Sequence, residues 1–151
     1  MTIFSPELIT LNMAAQDKQQ VLALMAKTMD AAGRLQPNGY DNYLIKLKNR
    51  ECDFSTAVGY SFAIPHGKTN AVKMPSVAFA RLTTPVLWDE EDEDWVSNVF
   101  MIAVPMASAS DEHMKILMKL STAILEDDFR EQLEQAVTEE DIFFIIQSIT
   151  I

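Results

Sequence analysis

Few side chains in this chain have types and settings suited to chemistry: two histidines, His66 and His113, one cysteine, Cys52, and a scatter of cations around the first histidine. His66 closes the stretch Tyr60-Ser61-Phe62-Ala63-Ile64-Pro65-His66-Gly67-Lys68. The apolar run Phe62 to Ile64 reads as a short strand that ends at the histidine, because Pro65 lacks the N–H a ladder needs and fixes φ. Gly67 then opens backbone conformations closed to other residues and removes bulk beside the ring. The arrangement reads either as an imidazole on a stiff mount or as a strand end whose turn happens to hold a histidine. Arg50, Lys46, Lys48, Lys68 and Lys73 lie within about twenty residues of it, a setting for a dianionic group, although any one of them also serves as an ordinary surface cation.

Several chemistries are excluded by spacing. Two distant histidines and one cysteine, with no HExxH and no CxxC, do not make a metal centre, and no metal is expected. Gly59-Tyr60-Ser61-Phe62-Ala63 half resembles a hydrolase nucleophile elbow, but that motif requires a helix after the serine and Pro65 forbids one. Four glycines form no phosphate-cradling loop, and no cofactor is implied. A histidine that itself carries a phosphoryl group fits best: a neutral ring nitrogen attacks, the opposite nitrogen is held by a hydrogen bond, and donors surround the phosphoryl oxygens. His66 supplies the nucleophile; His113, Arg50 and main-chain N–H groups near Gly67 are the candidate donors.

The elements that must position these groups follow from periodicity. Ile9 to Asn12 is β-capable, and Asp17 with Gln20 opens a helix whose expected inner face is Val21, Leu24, Met25, Thr28 and Ala32, ended by Gly33. Leu35 to Gly39 is a turn. A second helix, Tyr40 to Arg50, aligns Tyr40, Tyr43, Leu44 and Leu47, with Arg50 at the C-terminus where the dipole alone also favours a cation. Ala57 to Ile64 is one or two strands interrupted at Gly59; Ser76 to Leu82 is another, broken by Pro85. The six acidic residues Asp89 to Asp94 between Trp88 and Trp95 are expected to be a solvated loop. Val99 to Val104 is apolar on both parities, so it belongs at the sheet centre, closed by Pro105. A helix from Asp111 to Glu126, with Ser110 as N-cap, turns His113 inward with Ile116, Leu117, Leu120 and Ile124; that ring is either a neutral donor at the site or a core-edge histidine. Asp128 with Glu131 and Thr138 with Asp141 are two further capping-box spacings. The expected fold is α/β, a mixed β-sheet sandwiched between helices in the order β-α-α-β-β-β-α-α-α, with residues 1–151 as one domain.

Composition bounds the partners. The chain has 151 residues, 48% hydrophobic and 23% charged, with a formal net charge of −10. The charge is divided unevenly: nine Lys and Arg against six Asp and Glu up to Trp88, then three against sixteen. That balance argues against nucleic acid and anionic membrane surfaces, and no apolar run reaches the roughly 18 residues of a membrane span. The N-terminus has no basic flank of an export signal, and the single cysteine suits a reducing compartment as a packing residue, so a cytoplasmic location is expected.

Arg50-Glu51, Gly59, the block Phe62-Ala63-Ile64-Pro65-His66, Pro85, Trp88, Val99 to Pro105, and His113 with Leu117 and Leu120 together resemble the fructose/mannitol-type enzyme IIA family of the phosphoenolpyruvate-dependent sugar phosphotransferase system. The resemblance runs from about Ser5 to Ile149. It implies that His66 is the phosphorylated residue, His113 the second active-site histidine and Arg50 a phosphate-neutralising or structural arginine, with Gly67 and Lys68 as phosphate neighbours. It also implies phosphoryl transfer from the carrier HPr to an enzyme IIB, coupled to sugar uptake by a membrane enzyme IIC, with no membrane insertion of this chain. A regulatory module of the nitrogen-type IIA kind, phosphorylated by the same chemistry, is the alternative. Family members often have glycine where Ser61 stands and a shorter turn where Asp89 to Asp94 stand.

Overall fold

The computed structural model describes residues 2–108 and 111–149. Its centre is β6 (Asp94–Pro105), whose residues from Val99 to Val104 are all buried, as a strand covered on both faces must be. β6 forms a long antiparallel hairpin with β5 (Ser76–Asp89), and β1 (Ile9–Met13) lies parallel to β5 on the outside. On its other side β6 carries two short parallel pieces in one register: β3 (Phe62–Ala63), with Phe62 opposite Asn98, and β4 (His66–Thr69), with His66 opposite Ile102. β2 (Ala57–Gly59) closes that edge antiparallel to β3.

Alternation along β5 and β6 divides two cores. Ala78, Ala80, Met101 and Ala103 face α1 (Lys18–Ala31) and α2 (Tyr40–Asp53), while Val77, Phe79, Phe100 and Ile102 face α3 (Glu112–Leu125), α4 (Asp127–Gln135) and α5 (Glu139–Gln147). The mixed sheet between helical layers is therefore as expected. Among the described residues no helix is long and apolar enough to cross a membrane.

Local signals account for both ends of α1 and the start of α5. The Asp17 side chain accepts from Gln20 N at 2.9 Å, and Gln20 Oε1 in turn accepts from Gln16 N at 2.8 Å, so the reciprocal bond lands one residue earlier than in a capping box. Gly33, at φ +75°, ends α1 in a Schellman turn, with Arg34 N donating to Met29 O and Gly33 N to Asp30 O. Thr138 and Asp141 form the expected capping box. The buried stripe of α1 is Val21, Leu22, Met25, Ala26 and Met29; Leu24 is exposed, so the expected face is rotated.

Five expectations are corrected. The strand track does not stop at His66 but resumes there as β4, so five strands rather than three lie between α2 and α3. Pro85 does not break β5; it sits where the β5–β6 register shifts between Arg81 and Val86, a bulge in which its missing N–H costs no ladder bond. The acidic run is shorter as a loop than expected, because Asp89 and Asp94 pair as strand ends and only residues 90–93 turn, all of them exposed. Asp128 does not cap α4, which starts two residues earlier than that cap implies, with Glu126 at the N-cap and no side-chain cap bond. Cys52 is exposed rather than packed, since Leu47 and Glu51 take the inward face of α2. The expected cap Ser110 lies outside the described residues.

The turn between β2 and β3 carries three successive left-handed residues, Gly59 at φ +88°, Tyr60 at +56° and Ser61 at +68°. Only the glycine adopts this region without cost; each side chain there costs about 1–2 kcal/mol. Arg130 lies over the Tyr60 ring at 3.9 Å, while Ser61 is exposed and offers only its carbonyl, which accepts from Ser97 and Asn98 N–H. Ser61→Gly is therefore expected to stabilise the protein by about 0.5–1 kcal/mol, a rise of roughly 1–4 °C in Tm by calorimetry. An unchanged or lower Tm would show that the turn is not strained at Ser61.

Candidate active site

His66 opens β4, and its ring is half-buried. Its Nδ1 lies 2.9 Å from the carbonyl oxygen of Ile64. A carbonyl only accepts, so the neutral ring carries its proton on Nδ1 and leaves Nε2 with a bare lone pair. Pro65 between the two residues fixes the local φ that makes this two-residue reach possible. The Ile64 main chain is held in turn, its N–H donating to Thr56 O at 2.9 Å, while Pro65 O accepts from Ile102 N at 2.9 Å. The sequence element singled out as a stiff mount is thus a mount in fact, built from main-chain bonds on both sides of the proline.

His66 shares a sheet face with Ile102, and that is the face α3 covers. The first turn of α3 brings His113 there, its ring centroid 6.1 Å from that of His66 with 26° between the planes. Ile116, Leu120 and Ile124 are buried on the same helix stripe, which is why the expected inward turn of His113 holds. His113 Nδ1 is buried with no hydrogen-bond partner among the described residues. Lys68, two residues beyond His66 along β4 and so on the same face, donates from Nζ to Ser108 O at 3.3 Å. Arg50 stands in the last turn of α2 and donates from Nη1 to Phe54 O at 2.7 Å, closing its own helix end. It is near enough to His66 for its charge to be felt at the ring.

Gly67 has a different reason from the one expected. Its φ is not in the left-handed region, and a Cβ there would meet Lys46 Cγ at 3.3 Å and Tyr43 Cε1 at 3.4 Å. The glycine lets α2 approach β4 on the side away from the imidazole, and Tyr43, whose hydroxyl donates to Ile102 O at 3.0 Å, occupies that space. Ser61 lies in a turn followed by a strand, so no nucleophile elbow exists.

Both rings are held neutral. Burial is the main cause that lowers the His66 pKa; the Ile64 carbonyl opposes it, the charges of Arg50 and His113 lower it further, and Glu51 raises it. Burial likewise lowers His113, with the Lys68 ammonium adding to the effect. A cleft of about 830 Å³ lies elsewhere, where the end of α2 faces the β5–β6 hairpin, but its wall carries Asp89, Asp92 and Asp94 and repels a phosphoryl dianion. Neither His66 nor His113 lines that cleft.

A family model described as "Phosphoenolpyruvate-dependent sugar phosphotransferase system, EIIA 2" matches residues 2–149. The chain belongs to that family. EIIA 2 members are phosphotransfer components, and the relatives of this one include the fructose-specific EIIA component of Haloferax volcanii, 36% identical over 93% of this chain and 90% of the relative. The fructose-specific EIIABC component of Bacillus subtilis is also 36% identical, over 91% of this chain. The chain spans only about a fifth of that protein's length. Among solved structures, the nitrogen regulatory protein IIA-Ntr of Neisseria meningitidis superposes with a TM-score of 0.84 at 29% identity, over 95% of each chain. The Escherichia coli mannitol IIA enzyme, solved in complex with phosphorylated mannitol IIB, shares the fold at TM-score 0.81 and 22% identity, over 96% of this chain and 99% of that one.

What sequence reasoning missed is the part played by Glu51, which lines the acidic cleft at the end of α2. Its buried carboxylate accepts from Thr56 N and Trp88 Nε1 at 2.9 Å each and from Thr56 Oγ1 at 2.5 Å, and it pairs with Lys18 at 3.8 Å. The one available signal was the Arg50-Glu51 pair; the partners at 18, 56 and 88 meet only in the fold.

Because both histidine pKa values lie below the free value near 6.5, the folded protein binds fewer protons than the unfolded chain just below that pH. Stability from the neutral rings is complete above that window and is lost as pH falls through the folded midpoints. Proton NMR titration of the ring C–H signals is expected to give both midpoints below about 6.5. A midpoint above that value for either ring would contradict burial as the governing cause.

Proposed function

We propose that this EIIA 2 protein accepts a phosphoryl group on Nε2 of His66 from phospho-HPr and passes it to a IIB component for sugar uptake through a membrane IIC. The observation that carries the proposal is the Ile64 carbonyl bond to Nδ1, which leaves Nε2 unprotonated and nucleophilic on a half-buried ring. In the step, the Nε2 lone pair attacks phosphorus in line, the bond from phosphorus to the donor breaks, and its electron pair stays with the donor. The proton stays on Nδ1 throughout, hydrogen-bonded to the Ile64 carbonyl. His113, Arg50 and Lys68 offer N–H donors and positive charge to the phosphoryl oxygens, and the Gly67 main chain is adjacent. Burial that keeps the free rings neutral also keeps water from solvating the reacting group.

The two fructose-specific relatives at 36% identity favour a transport role, with this chain working in the cytoplasm as a single domain beside a separate or fused IIB. The mannitol IIA complex with phosphorylated IIB is the model for that partner. The close superposition on IIA-Ntr favours a second reading, in which the same phosphohistidine governs binding to a regulated protein instead of sugar uptake.

Incubation with labelled phosphoenolpyruvate, enzyme I and HPr is expected to give acid-labile label on the wild type and none on His66→Ala. Equal labelling of that variant would remove His66 as the acceptor. His113→Ala is expected to accept phosphate yet donate it to IIB about a hundredfold more slowly, the scale of losing one charge-stabilising donor. Donation at the wild-type rate would leave His113 a packing residue. If the labelled protein delivers to no IIB but changes affinity for a regulated protein, the second reading replaces the first.

A further inference from the structure

Glu51 is placed where neither helix propensity nor packing calls for a carboxylate. It stands in the last turn of α2, where the dipole disfavours negative charge, and only 1% of its side chain is exposed. Replacing a buried ion by an apolar group of similar size is often neutral or stabilising, so packing alone does not account for an acid here. Its hydrogen bonds converge on the segment at Thr56, directly or through the Trp88 indole, and Lys18 Nζ lies 3.8 Å from Oε1. Oε1 accepts from Thr56 N and Oε2 from Thr56 Oγ1, and the Trp88 indole donates to both Glu51 Oε1, at 2.9 Å, and Thr56 Oγ1, at 3.3 Å. The residue before it, Arg50, pins the same segment two positions earlier through Phe54 O.

The segment matters because of what Thr56 does next. Its carbonyl accepts the N–H of Ile64, and the carbonyl of Ile64 accepts the Nδ1–H of His66. Ile64 and Pro65 lie in the gap between β3 and β4, where the Thr56 bond to the Ile64 N–H and the Ile102 N–H bond to the Pro65 carbonyl fix the chain on either side of the Ile64 carbonyl. We infer that Glu51 and Thr56 are positioning residues: the carboxylate clamps Thr56, and Thr56 holds the Ile64 carbonyl so that His66 stays in the Nδ1–H tautomer with Nε2 free. Glu51 touches neither ring. The inference rests on His66 being the phosphoryl acceptor, and it deepens that reading by naming what sets its reactive nitrogen. The Glu51 charge is also felt at His66, in the direction that offsets Arg50 and His113.

The tautomer is read directly from the ¹⁵N shifts of the His66 ring in unphosphorylated protein at a pH where the ring is neutral. Wild type is expected to show Nδ1 protonated and Nε2 bare. Thr56→Val keeps the shape but removes the hydroxyl, and it is expected to populate the Nε2–H tautomer and to slow phosphoryl acceptance from phospho-HPr about tenfold, as a misplaced proton does to a catalytic imidazole. Thr56→Ser is expected to restore the tautomer that Thr56→Val loses. Glu51→Gln, whose amide cannot accept from all three donors, is expected to shift the tautomer in the same direction. Unfolding midpoints are compared in parallel, so that Thr56→Val carries the test if Glu51→Gln fails to fold. Folded variants with the wild-type tautomer would overturn the inference. Failure of the wild type to take label at His66 would count against the phosphocarrier reading alone, because the tautomer is measured without phosphate.

Discussion

The phosphoryl-carrying role proposed depends on one hydrogen bond, from the Nδ1–H of His66 to the carbonyl of Ile64. An imidazole has two similar nitrogens, and a group that must attack through one of them needs the other occupied. The fold meets that need with main chain rather than a carboxylate. A carbonyl brings no charge of its own, so the ring keeps its reduced basicity and remains neutral under burial. For the carbonyl to be available, the strand track must let go of it. Pro65 interrupts the ladder at that point, and the track returns to β6 at His66 with its register unchanged.

The electrostatics around this bond have two settings. In the unphosphorylated protein Arg50 and His113 disfavour a proton on His66, and Lys68 disfavours one on His113, which reinforces burial. In the phosphoryl-carrying role proposed, the same charges face a dianion and attract it. The cost of holding cations beside neutral rings is thus converted into affinity once the group arrives. Of the sixteen acids of the C-terminal part, six stand on the β5–β6 hairpin and seven on α4 and α5.

What could be read from the chain in advance was whatever has a local cause. Asp17 and Thr138 mark helix starts, Gly33 marks a stop, and Val99 to Val104 mark the sheet centre through unbroken apolarity. His113 was legible because it falls on the same stripe as Ile116, Leu120 and Ile124. β4 was not, since His66-Gly67-Lys68-Thr69 has neither alternation nor apolar character and is a strand only because β6 offers it a ladder. Pro85 misled for the same reason: its tolerance depends on a register shift that the partner strand creates. The crowding at Gly67 comes from Tyr43 and Lys46 of α2, which no spacing in the sequence shows. The Glu51 cluster, gathered from residues 18, 51, 56 and 88, has no sequence spacing to betray it.

The shared register of β3 and β4 on β6 makes residues 62–66 a length-locked ruler. Side chains alternate between faces, so removing or adding one residue there would swing the imidazole from the α3 side to the α2 side, against Tyr43. Drift in chain length is therefore open to the four-residue hairpin tip at 90–93, where it moves no reacting group, and closed to the five residues that end at His66.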